Sequence, residues 1–141
     1  MVSMLRNMET ERVCHMPKIK SSKAKGARFE RELANIFKEY GFEDSRRTAQ
    51  YCGNTGDAAD VIGLPGLHIE AKFQETMRLY EWMEQAKNDA KANGNGNLPA
   101  VFHKKSRSDI LVTMTLVDFM QLYKSKRMAT KMLFEGGGKF D

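Results

Sequence analysis

Cysteine is scarce: Cys14 and Cys52 are the two in 141 residues. They are too few for a disulfide framework and form no CxxC pair, so two free thiols in a reducing compartment are expected. Long apolar runs are missing as well. Nothing approaches the ~20 consecutive apolar residues that cross a bilayer, and the opening MVSMLRNMETERVCHM has no apolar stretch of the secretory kind. The expectation is a soluble, internal protein without membrane association. Apolar residues make up 41% of the sequence, enough for one packed core at this length and not for two. Acidic residues are outnumbered, 18 against 23 basic ones, for a formal net charge of +5. The basic residues do not collect in an amphipathic membrane-type helix, so the excess favours an anionic macromolecule, nucleic acid first.

What is present divides into three stretches. Residues 1–22 are polar and basic without periodicity, 23–125 carry the patterning of a folded domain, and 126–141 end in EGGGKFD and read as a tail. In the domain, Phe29, Leu33, Ile36, Phe37 and Tyr40 recur at helical spacing and Gly41 supplies a stop. SRRTAQY reads as a short strand bearing Arg46 and Arg47, and CGNTGD as a polar loop. AADVIGL and LHIEAKF flank Pro65-Gly66 and predict a β-hairpin. A second helix is expected from about Thr76, burying Leu79, Met83, Ala86 and Ala90 and stopping in NGNGN. PAVFHKK and DILVTMT predict two more strands. Thr115 and Asp118, spaced as a capping box, open a last helix with Phe119, Leu122 and Tyr123 on its apolar face.

The strand LHIEAKF poses a chemical problem, because side chains two apart on a strand share a face. Ile69, Ala71 and Phe73 face the core, so Glu70 and Lys72 emerge side by side toward solvent or a polar cleft. Counting outward from Pro65-Gly66 pairs Leu64 with Leu67 and sets Asp60 opposite Ala71, next to both. Two carboxylates converging on one point repel unless a cation lies between them. Oxygen ligands of this kind suit Mg²⁺ or Mn²⁺. A lysine beside such an ion can position or help deprotonate an attacking water, and can balance charge developing on a phosphate.

This set resembles the PD-(D/E)xK nuclease superfamily, with Ala59-Asp60 and Glu70-Ala71-Lys72 as the matching residues and Ala59 where the family's proline would stand. Upstream, KGARFERELANIFKEYGF (25–42) resembles the first helix of archaeal-type Holliday junction resolvases and their phage relatives, whose G-x-x-x-E-R opening is matched by Gly26, Glu30 and Arg31. The resemblance covers residues 25 to about 73, and the later elements up to about Tyr123 are compatible with it. It implies an α/β, restriction-endonuclease-like core in which a mixed central β-sheet is flanked by helices. It also implies a homodimer that cleaves branched DNA at four-way junctions with Mg²⁺, for which Mn²⁺ can substitute, in the cytoplasm of a bacterium or a phage host. No small-molecule cofactor is implied. Asp60, Glu70 and Glu30 would be the metal ligands and, with Lys72, the catalytic set. Both Glu30 and Glu32 flank the apolar stripe, and periodicity alone does not choose between them. Two alternatives share the same residues: a nuclease of this fold acting on flaps, single strands or replication intermediates, and a DNA-binding module that has lost the chemistry.

Among the other polar groups, Arg46, Arg47, Lys104, Lys105 and Arg107 are candidates for phosphate contact. Asn54, Thr55 and Asp57 read as a turn beside the site, Gln85 as an exposed helix position, and His68 as structural. Cys14, His15, Cys52, His68 and His103 lack zinc spacing. Trp82 and Tyr80 are expected in or at the edge of the core; with the last helix, they are also the candidate sources of a self-complementary patch.

Overall fold

The computed structural model describes residues 22–48 and 59–136. Among these, α1 (Ser22–Glu39) leads into β1 (Arg46–Arg47), β2 (Val61–Ile62) and β3 (Leu67–Phe73). These are followed by α2 (Leu79–Asn93), β4 (Leu98–Lys104), β5 (Leu111–Thr113) and α3 (Leu116–Gly136). The strands form one sheet in the order β1-β2-β3-β4-β5. Among the described residues β3 pairs with β4 in parallel, joined through α2, and the other neighbours are antiparallel. The architecture is thus the mixed α/β sheet with flanking helices expected from the sequence.

Alternation along β3 and β4 divides the core into two layers. Ile69, Ala100 and Phe102 face α1 and meet Phe29, Leu33, Ala34 and Phe37, while Val101 faces α2 and meets Trp82, Met83 and Ala86. The first layer is locked by edge-to-face aromatic pairs, Phe29 with Phe73 at 5.8 Å and Phe37 with Phe102 at 5.5 Å. Tyr40, expected on the buried stripe, is 80% exposed. The helix has ended at Glu39, and Gly41, at φ 99°, turns the chain away before Tyr40 can reach the sheet. Of the two ring candidates on α2, Trp82 is core and Tyr80 lies in solvent. That helix starts at Leu79, three residues later than expected, and ends on Gly94 in a left-handed cap.

The hairpin forms with a register one residue from the count. Leu64 and Leu67 close the turn, Leu67 N–H donating to Leu64 O at 3.2 Å across Pro65 and Gly66, yet Val61 pairs with Ile69 rather than with Glu70. The β2 side carries one extra residue, accommodated where Gly63 adopts φ 125°. No other residue type fits there: a Cβ on Gly63 would lie 2.2 Å from Ser45 Oγ and 2.4 Å from Ser45 Cα. The last helix opens as its capping signal predicts, with Asp118 N–H donating to Thr115 Oγ1 at 3.2 Å. It then continues through Lys126 to Gly136, where the sequence alone places a tail.

Candidate active site

Asp60 sits where β2 begins, and its backbone is held from two sides. Asp60 N–H donates to Ile69 O at 2.9 Å on one strand, and Thr48 N–H donates to Asp60 O at 3.1 Å from the other. The Thr48 hydroxyl also donates to Ala59 O at 2.7 Å. The carboxylate turns toward β3, where Oδ2 accepts from Ala71 N–H at 2.8 Å. That bond fixes the acid against the strand bearing Glu70 and Lys72. The one-residue register change therefore leaves the three together.

Glu70 and Lys72 share the α2 face of β3, as strand alternation requires. Lys72 Nζ lies 3.2 Å from Glu70 Oε1 and 3.2 Å from Gln85 Oε1 on α2. Gln85, expected to be simply exposed, is exposed but bonds the lysine head group. Glu70 is 4% exposed, with a negative charge that burial opposes. Burial raises the Glu70 carboxyl above its ordinary range; Lys72 pulls it back, and Asp89 and Glu30 add to the rise. Asp60 is pushed up to about 7, by burial first and by the Glu70 charge second, against the relief given by Ala71 N–H. Acids in this condition prefer a proton or a cation to standing ionised alone.

Glu30 projects from α1 and is close enough to raise both acids electrostatically. Its Oε2 pairs with Arg47 Nε. Glu32 points elsewhere, to Lys104 Nζ at 3.2 Å. The two acids left undecided by periodicity thus differ: Glu30 acts electrostatically on Asp60 and Glu70, and Glu32 is paired with Lys104. Arg47 and Lys104 each hold a carboxylate, and Lys104 also lies over the Phe73 ring at 5.1 Å. Arg46, Lys105 and Arg107 are exposed. Asn54, Thr55, Asp57, Cys14, His15 and Cys52 lie outside the described residues.

Sequence reasoning did not single out Asp89 or Asn93, although 85, 89 and 93 fall four apart on α2 and so share one helix face. His68, Glu70 and Lys72, two apart on β3, face that stripe. His68 Nδ1 lies 3.4 Å from Asn93 Nδ2, and Asp89 acts on both His68 and Glu70.

A mixed sheet between helices, with an aspartate at the mouth of a hairpin and an E-x-K strand at its centre, is the restriction-endonuclease-like architecture of PD-(D/E)xK nucleases. The chain belongs to the family described as "Phage putative PDDEXK endonuclease", whose model matches residues 21–136. It is similar to the 1.6 Å structure of Hjc, a Holliday junction resolvase from the archaeal hyperthermophile Archaeoglobus fulgidus. That match has a TM-score of 0.48 and 25% identity, and covers 63% of this chain and 76% of that one. Among curated proteins none matches. No described helix is long and apolar enough to cross a membrane.

Proposed function

We propose that this nuclease is a divalent-metal-dependent endonuclease that resolves four-way DNA junctions by phosphodiester hydrolysis, working as a homodimer. The observation that carries the reading is the grouping of Asp60 and Glu70, both held reluctant to ionise, with the Lys72 ammonium 3.2 Å from Glu70. Such a donor set fits a hard divalent cation, Mg²⁺ with Mn²⁺ as substitute, held by Asp60 and Glu70 with Glu30 beside them. When bound, the ion supplies positive charge to the phosphate and acidifies the attacking water.

The chain's own residues account for the rest. Ala71 N–H orients the Asp60 carboxylate, and Arg47 holds Glu30 by an ion pair. Gln85 and Glu70 hold the Lys72 head group from two sides, so the ammonium is placed to orient water and to offset charge gathering on the phosphoryl oxygens. Arg46, Lys105 and Arg107 are exposed to meet flanking phosphates; Arg47 and Lys104 would add to the local field through their existing pairs.

The junction reading rests on symmetry. A four-way junction presents two equivalent strands, so its resolution calls for two sites at fixed separation, and a two-fold dimer is the smallest assembly that supplies them. Trp82 is buried and drops out of the dimer patch. The last helix stays in it, because Leu116, Val117, Phe119, Met132, Leu133 and Phe134 are each at least half exposed. We infer a bacterial-host cytoplasmic setting for this phage-family enzyme, where branched DNA arises.

The test compares a synthetic four-way junction with a matched linear duplex. Paired nicks on opposing junction strands are expected with Mg²⁺, none with EDTA, and binding without cleavage for Glu70→Gln. Preferential cutting of flaps or single strands by a monomer would replace the junction reading with another substrate. Wild-type cleavage by Glu70→Gln would remove the site assignment itself.

A further inference from the structure

On the α2 face of β3 the structure brings three potential ligands together. One ring nitrogen of His68, one Glu70 oxygen and one Asp89 oxygen all lie within 4.8 Å of one another. That spread is about twice a metal–ligand bond of ~2.1–2.5 Å, so a single cation can touch all three after small rotamer shifts. A second, independent observation points to a ligand. His68 is 1% exposed, and its Nε2 has no hydrogen-bond partner although it is fully buried. A buried ring nitrogen left without a partner costs on the order of 1–3 kcal/mol, and next to two carboxylates a cation is the natural partner.

We propose that His68, Glu70 and Asp89 form a second divalent-cation site that shares Glu70 with the site of the proposed function and takes a metal with affinity for nitrogen, Mn²⁺ before Mg²⁺. The Mn²⁺ preference follows from the donors. Imidazole is a poor ligand for Mg²⁺ and an acceptable one for Mn²⁺. Asn93 holds the other ring nitrogen, its Nδ2 lying 3.4 Å from His68 Nδ1. As placed, Asn93 Nδ2 donates to Nδ1; a cation on Nε2, the nitrogen without a partner, requires the amide to flip so that Oδ1 accepts from Nδ1–H, which leaves the lone pair on Nε2. Asp89 reaches the site from α2, while His68 and Glu70 come from β3, so an ion here ties helix to strand and limits the freedom of Glu70. The inference rests on the proposed function only for the role of Glu70 in the neighbouring site.

The test is Mn²⁺ binding to the DNA-free protein, followed by calorimetry and by pulsed electron paramagnetic resonance, which detects ¹⁴N coupled to bound Mn²⁺. Wild type is expected to show ¹⁴N coupling. His68→Gln should lose the coupling and bind one ion fewer per chain, whereas His103→Gln should keep both. Asn93→Ala should weaken that ion roughly 10–100-fold. Absence of ¹⁴N coupling in Mn²⁺-loaded wild type, or its survival in His68→Gln, overturns the proposal. If His68→Gln proves misfolded by circular dichroism, Asp89→Asn, at a less buried position, decides: a full ion count with unchanged coupling refutes the site. The two readings fail separately. Asp60→Asn is expected to lose one ion and keep the nitrogen signal; an unchanged ion count there would discredit the Asp60–Glu70 site while leaving this one standing.

Discussion

Replacing Asp60 by asparagine should stabilise the metal-free protein, and should do so only on the alkaline side. The Asp60 pKa rises from 3.8 to about 7 on folding, chiefly through burial and the Glu70 charge. A raised folded value means that the folded state holds the proton more tightly. The group's contribution is therefore fully present below pH 3.8 and is lost as pH climbs through about 7. At 1.36 kcal/mol per unit the whole swing is about 4 kcal/mol, of which about 3 kcal/mol falls between pH 5 and pH 8. Asp60 keeps partial solvent contact, so screening trims the measurable difference to about 2 kcal/mol. Asparagine keeps an oxygen for Ala71 N–H and removes the charge; it also lets Glu70 ionise more easily, an effect of the same sign. Urea unfolding in EDTA should show wild type and Asp60→Asn nearly level at pH 5 and the variant ahead by about 2 kcal/mol at pH 8. Saturating Mg²⁺ should narrow the gap by stabilising wild type more than the variant. A gap that is the same at both pH values, or a variant that is weaker at pH 8, would refute the electrostatic account of the site.

Lys72→Ala should lower cleavage by roughly 10²–10⁴-fold while leaving calorimetric Mg²⁺ binding in place, since the ammonium touches Glu70 and Gln85 but would not ligate the ion. Loss of metal binding would mean that Lys72 chiefly holds Glu70 in position. Glu30→Gln should slow turnover strongly in single-turnover assays. Glu32→Gln should cost little, because it breaks only the partly exposed pair with Lys104; the reverse ranking would shift the G-x-x-x-E-R match by two residues. Gly63→Ala should destabilise by about 3 kcal/mol through strain and overlap with Ser45, and a chemical-denaturation midpoint equal to wild type would contradict the described turn.

The readable part of this protein is the part in which one periodicity governs one element. Alternation on LHIEAKF put Glu70 and Lys72 on a common face, and helical spacing found Phe29, Leu33 and Phe37. The hairpin's register was not readable, because whether Gly63 counts as strand or as an extra residue depends on its φ of 125° and on Ser45 packed against it. The His68–Glu70–Lys72 and Asn93–Asp89–Gln85 rows were each visible separately. Their apposition needed the fold, which lays α2 along β3. Two strand residues advance about 6.6 Å and four helix residues about 6 Å, so the rows match over three pairs, and neither row alone reveals its partner. Arg47 and Lys104 illustrate the opposite limit: a basic residue's sequence context does not disclose the carboxylate it meets from another element.

The hydroxyl of Thr48 on the carbonyl of Ala59, at 2.7 Å, is also the clasp of a purse. It ties the end of β1 to the residue immediately before Asp60. Thr48 N–H also donates to Asp60 O, and Asp60 N–H donates to Ile69 O, so the backbone of the aspartate is gripped by both of its neighbouring strands. The acid therefore takes its place from Thr48 and Ile69 on either side of it, and a change at either would be felt at the carboxylate before it was felt in the core.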